Sequence, residues 1–199
     1  MKIIDVIFAL VSGELVGLVT VDFLKGLGFT AGWYWYLAIW LLFPLVSLLC
    51  LWIAFIVGKK FLFVFQAAKH VLVGALATII DLKLFELLLW IFSFIFYANI
   101  FIIKAISFLI ATTLKYLGNK YWTFQKYERN DIHKEIAKLA IVDIIGLIIN
   151  VSGFYFFVKI LGAQFSITTG VWTKLSVIFA ACGSAVWNFS GYKFLVFKK

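Results

Sequence analysis

Six apolar stretches separated by short polar breaks make up nearly the whole chain, at about Ile3–Leu24, Tyr34–Val57, His70–Phe92, Ile100–Tyr121, Ile136–Leu161 and Thr169–Tyr192. Each is near the ~20 residues that a helix needs to cross ~30 Å of hydrocarbon. A transmembrane barrel would instead show alternating segments of ~10 residues. The pattern predicts an all-α integral membrane protein with six transmembrane helices. The connections are too short for a soluble domain.

Composition strengthens this reading. The 199 residues are 65% hydrophobic and 20% aromatic, with a mean hydropathy of +1.09, where soluble domains average about 45–50% apolar. Asp5, Glu14 and Asp22 interrupt the first stretch, and no small-residue cleavage site ends it, so it does not read as a cleaved signal. Cys50 and Cys182 fall in different stretches. They form no disulfide framework or metal pair, and read as small buried hydrophobes.

The net charge of +9 has its first explanation in the positive-inside rule rather than in nucleic acid. Sorted along six spans, 12 of the 18 Lys/Arg fall on the side of both termini, including Lys59, Lys60, Lys126 and Arg129. Only Lys25, Lys104, Lys159 and Lys174 fall on the other side. Both termini are therefore expected in the cytoplasm, and the expected setting is the plasma (cytoplasmic) membrane.

Two helix ends look alike: "NKYWTF" at residues 119–124 and "YKFLVF" at 192–197. Aligned on the closing Phe, Phe124 meets Phe197, Lys120 meets Lys193, Gly118 meets Gly191 and Tyr116 meets Phe189. At another constant offset Lys69 meets Lys138 and Asp81 meets Asn150. The chain thus reads as an N-terminal hairpin (1–63) followed by a four-helix domain (64–199) made of two parallel helical-hairpin repeats. Many transporters hold their site between such repeats. The ring-and-lysine ends suit the membrane interface, where aromatics settle and lysines snorkel to water.

These residues resemble the GtrA-like family of small multi-pass membrane proteins, over about residues 64–198. The resemblance rests on "KHVLVG" at Lys69–Gly74, on Asp81, and on two ends of the form Asn-Phe-x-x-Asn-Arg/Lys-x-x-Val/Thr-Phe. "WNFSGYKFLVF" keeps Asn188, Phe189, Lys193, Val196 and Phe197 but has Tyr192 for the second Asn. "LKYLGNKYWTF" keeps Asn119, Lys120, Thr123 and Phe124 but has Lys115 for the first Asn and Tyr116 for Phe. The resemblance implies a role in cell-surface polysaccharide synthesis or glycosylation. Such proteins are expected to flip polyprenyl-phosphate-linked sugars across the membrane, or to assist the glycosyltransferases that handle them. It implies nothing for residues 1–63.

Such a substrate needs cations for its phosphate, hydrogen-bonding groups for its sugar and an apolar cleft for its tail. Lys69, Lys120, Lys138 and Lys193 on one side, with His70 nearby, and Lys104 and Lys174 on the other, are the expected lipid-phosphate ligands. Asp81, Asn119, Asn150, Asn188, Lys115 and Glu14 are the intramembrane polar candidates. Lys104, Phe108, Ala111 and Lys115 share one helix face, and Lys83 and Glu86 are spaced to pair. The small residues at 180–185 read as a packing face, and Pro44 as a kink in the second helix.

No metal cluster, phosphate loop or cofactor motif is present in the sequence, so neither enzyme activity nor a cofactor is expected. Residues 125–138 read as an amphipathic cytoplasmic linker with a solvated His133. Two alternatives remain. The protein could anchor a membrane glycosyltransferase without transporting anything, or it could be a proton-coupled exporter working through Glu14. The partners expected are the lipid-linked sugar, membrane lipids and a glycosyltransferase, with no nucleic acid. A homo-oligomer is compatible with so slim a bundle.

Overall fold

A computed structural model describes residues 1–26, 32–92, 100–127, 132–164 and 169–197, with a few helical side chains excepted. Among these residues the chain is helical throughout, without a strand. The helices are α1 (Ile3–Gly26), α2 (Trp33–Gly58), α3 (Leu62–Phe92), α4 (Ile100–Leu117), α5 (Ile132–Tyr155) and α6 (Thr169–Gly191). The last three each run on into a π-helical turn, at Gly118–Thr123, Phe156–Leu161 and Tyr192–Val196. Among the described residues three helical segments are long and apolar enough to cross a membrane: Ile3–Val21, Trp33–Gly58 and Ile132–Leu161.

Two boundaries differ from the sequence reading. α3 starts at Leu62, well before His70, because Gly58 lets the chain turn tightly: a Cβ there would meet Phe65 Cβ at 2.6 Å. With 31 residues α3 is roughly 46 Å long at ~1.5 Å per residue. α5 starts at Ile132, so His133 and Lys134 stand on a helix and not in a linker. Residues 128–131 of that linker lie outside the described residues.

The chain forms two compact units, Met1–Gln125 and Lys126–Lys199. In the first, α1 crosses α2 through Gly13 and Gly17. A Cβ on Gly13 would come within 2.6 Å of Phe43 O and the Pro44 Cα, and one on Gly17 within 3.2 Å of Trp40 O. Two small residues four apart let helices approach where lipid supplies no hydrophobic drive. Pro44 sits inside α2 at this crossing; having no N–H, it frees the Trp40 carbonyl. Ala9, Leu51, Val73 and Trp122 form the buried core, packed by Phe8, Leu48, Phe65, Ala68 and Leu72. The core thereby joins α1, α2, α3 and the first π turn.

In the second unit the small residues of α6 pack on α5 as their spacing implies. Ser184 Oγ donates to Gly146 O at 2.8 Å, and Gly153 lies against Ala180. Elsewhere hydroxyls turn back on their own helix: Thr20 to Val16 O, Thr113 to Leu109 O and Ser190 to Val186 O, each at 2.8 Å. An unbonded hydroxyl in hydrocarbon costs several kcal/mol, and this local bond removes the cost. Cys50 and Cys182 are exposed on their helices, contrary to the buried expectation. In an apolar solvent the outside of a helix suits a small hydrophobe as well as the inside does.

Candidate functional site

A cluster of buried polar groups in the first unit lies where α1, α3 and the first π turn meet. A π turn carries an extra residue per turn, which swings successive side chains inward. Asn119, Lys120, Trp122 and Thr123 are all buried there, and Phe124 N closes the turn on Asn119 O at 2.9 Å.

Asp5 is the hub. Its Oδ1 lies 2.6 Å from Lys69 Nζ, and both side chains are 2% exposed. Trp122 Nε1 donates to the same oxygen at 2.8 Å, and the Lys2 backbone N–H donates to Oδ2 at 2.8 Å. Lys69 Nζ also stands 4.4 Å from the Phe65 ring centroid and 5.1 Å from that of Trp122. Phe8 stacks on Trp122 with centroids 4.4 Å apart. Burying a charge is expensive unless it is paired and hydrogen-bonded, and this carboxylate is both.

Beside it, His70 Nδ1 is 2.8 Å from Asn119 Oδ1, while Asn119 Nδ2 donates to Lys115 O at 2.9 Å. With the amide nitrogen donating to that carbonyl, Asn119 Oδ1 is the acceptor and His70 Nδ1 carries the proton. Lys120 is 1% exposed. It does not snorkel outward, because the π turn directs it to Tyr116, whose hydroxyl its Nζ meets at 3.1 Å.

Next to this cluster a cavity of about 440 Å³ opens between α3 and α4. Phe8, Val73, Ala77, Leu114, Tyr121 and Trp122 contribute apolar wall, and Lys115 is its charged member. Deeper along α3, Ser107 Oγ donates to Asp81 Oδ1 at 2.8 Å, tying α4 to α3. Lys83 and Glu86 do pair, at 2.9 Å, with both side chains more than half exposed.

The second unit ends in the same backbone plan. Phe197 N closes on Tyr192 O at 2.8 Å. Tyr192 stands where the first unit has Asn119, and its hydroxyl lies 3.0 and 3.1 Å from the two Asp143 oxygens. Lys193 lies over the Phe189 and Phe194 rings. Lys138 is exposed on α5 and Asn150 is half-buried. Asn188 is half-buried against Gly146. Lys126 Nζ pairs with Glu135 Oε1 at 3.0 Å.

Of the residues singled out in the sequence, Lys69, Lys115, Asn119 and Lys120 come together. Asp81 lies apart, bonded to Ser107, and Glu14 is exposed on α1, outside the cavity wall. The side chains of Lys104 and Lys174 lie outside the described residues. The hub itself escaped the sequence reading. Asp5 registered only as a charge unsuited to a signal peptide, and Trp122 only as an interfacial anchor. The available signal was an acid placed early in an apolar run, which demands a partner.

Long apolar helices, with the Asp5–Lys69 pair buried among them, define an integral membrane protein. The chain belongs to the GtrA/DPMS transmembrane-domain family, which matches residues 69–197. The family is associated with membrane sugar-related processes, and its members are generally non-catalytic. No curated protein and no solved structure matches the chain. The match begins at Lys69, so Asp5 reaches the family domain from outside it.

Proposed function

We propose that this protein moves polyprenyl-phosphate-linked sugars between leaflets, or assists in their handling, for cell-surface polysaccharide synthesis or glycosylation. On this reading all six helices span the plasma membrane and both termini are cytoplasmic. The observation that carries it is an apolar cavity with a lysine in its wall, beside the His70–Asn119 pair. A prenyl tail needs such a wall, and a phosphate needs such a cation. The decisive measurement is leaflet exchange of a labelled short-chain polyprenyl-phosphate sugar in liposomes. Protein-dependent exchange that falls in Lys115→Ala is expected; no protein-dependent exchange overturns the reading.

Recruitment of a glycosyltransferase is the second reading. It is favoured by His133, Lys134 and Lys138, all exposed on the first turns of α5. Co-purification of a transferase that is lost when these three are replaced by Ser, without any exchange activity, would establish it. Glu14 lies outside the cavity wall and has no role in either reading.

A further inference from the structure

Lys69 and Trp122 belong to the family domain, but the carboxylate that satisfies both does not. It comes from α1. Asp5 Oδ1 meets the Lys69 ammonium at 2.6 Å and accepts the Trp122 indole N–H at 2.8 Å. Three residues on, and so on the same face of α1, Phe8 stacks on the Trp122 ring at 4.4 Å and joins the wall of the cavity of about 440 Å³. One short stretch of α1 therefore presents an anion to a cation of the family domain and an apolar ring to its cavity.

The second hairpin treats the same positions differently. Lys138, aligned with Lys69, is exposed, and so is Leu195, aligned with Trp122. Burial of Lys69 thus goes with the presence of α1. Lys120 and His70, close by, face Tyr116 and Asn119, so Lys69 is the cation that Asp5 answers.

We propose that Lys69 and Trp122 form a seat for the anionic head of a lipid, and that α1 fills this seat in cis, with Asp5 in place of the head and Phe8 in place of the first part of the tail. This rests on the preceding reading for the identity of the lipid as a polyprenyl phosphate. An ammonium and an indole N–H are donors only, and a phosphate offers them the same acceptor oxygens as a carboxylate. The exchange moves only the opening of α1. Asp5 lies in its first turn, whereas the crossing that fixes α1 on α2 is at Gly13 and Gly17, about two turns further on. Helix ends open at lower cost than helix middles. An empty seat would strand a buried ammonium, so α1 and the lipid replace one another.

The test uses the full chain in nanodiscs of zwitterionic lipid, with radiolabelled dodecyl phosphate as the probe and binding counted above that of empty discs. Dodecanol and inorganic phosphate are the competitors. Asp5→Asn should bind the probe about tenfold more tightly than the parent, the ratio that one charge-assisted contact supplies. Dodecanol should compete poorly, and inorganic phosphate, which has no tail, should not compete. Adding Lys69→Met to Asp5→Asn should abolish the gain, and adding Lys69→Arg should keep it. Asp5→Glu, which retains the charge of the occupant, should stay near the parent.

Equal affinity in the parent and Asp5→Asn overturns the proposal. So does a gain that persists in Asp5→Asn/Lys69→Met, or an equal gain for dodecanol, which marks a loosened cavity and not an anion seat. Displacement of the probe by inorganic phosphate alone refutes a lipid as the occupant. Where Asp5→Asn does not fold in detergent, dodecyl phosphate added at extraction should restore the folded protein and dodecanol should not; restoration by neither overturns the proposal as well. The gain without leaflet exchange removes only the transport reading. Exchange without the gain removes only this one.

Discussion

Asp5→Asn isolates the charge at the centre of the first unit. The substitution keeps the shape and one acceptor oxygen but leaves Lys69 without its counter-charge. Both side chains are 2% exposed, so solvent screens little of the interaction. Removing one member of a buried pair costs about 3–5 kcal/mol. The retained oxygen can still accept from Trp122, which saves about 1 kcal/mol. A loss of roughly 3 kcal/mol follows, or about 6–12 °C in Tm for a chain of this size. Lys69→Met should cost a similar amount, because it strands the carboxylate. The double variant, with both charges gone, should lie within about 1.5 kcal/mol of the parent, a strong favourable coupling. Thermal unfolding followed by near-ultraviolet circular dichroism in a mild detergent, with all four proteins in one buffer, measures the cycle. Additive losses in the double variant, or an Asp5→Asn shift below about 2 °C, would refute the assignment of Asp5 and Lys69 as a buried pair.

Gly146→Ala puts a methyl into the Asn188 carboxamide and should destabilise by about 1–3 kcal/mol; Gly146→Ala/Asn188→Ala should recover most of that in the same melt. Tyr192→Phe removes the donor to Asp143 and should cost about 1–2 kcal/mol, while Asp143→Asn, which keeps an acceptor, should cost less. Gly13→Ala pushes against the α2 backbone at 2.6 Å. Backbone cannot step aside as a side-chain tip can, so the loss should exceed that of Gly74→Ala, where nothing lies within 4 Å; paired melts decide it.

Much of the helical layout was legible because apolar run length reports helix length directly. The paired ends were legible too, since lysine, glycine and phenylalanine recur at fixed spacing and the chain closes both ends with the same π turn. The Asp5–Lys69 contact was not, because nothing local links residues so far apart in sequence. The direction of Lys120 was lost for a different reason: one extra residue in the turn rotates it inward, and no hydrophobic period records that. The early start of α3 depended on Gly58, whose role appears only once Phe65 stands against it.

The Asp5 hub bears on how this protein can be dissected. A fragment trimmed to the family boundary would begin at Lys69 with a bare ammonium in an apolar seat, an indole N–H without an acceptor, and the stacking surface of Trp122 uncovered. The homology limit is therefore a poor place for the scissors, and a working fragment of the first unit has to keep its opening helix.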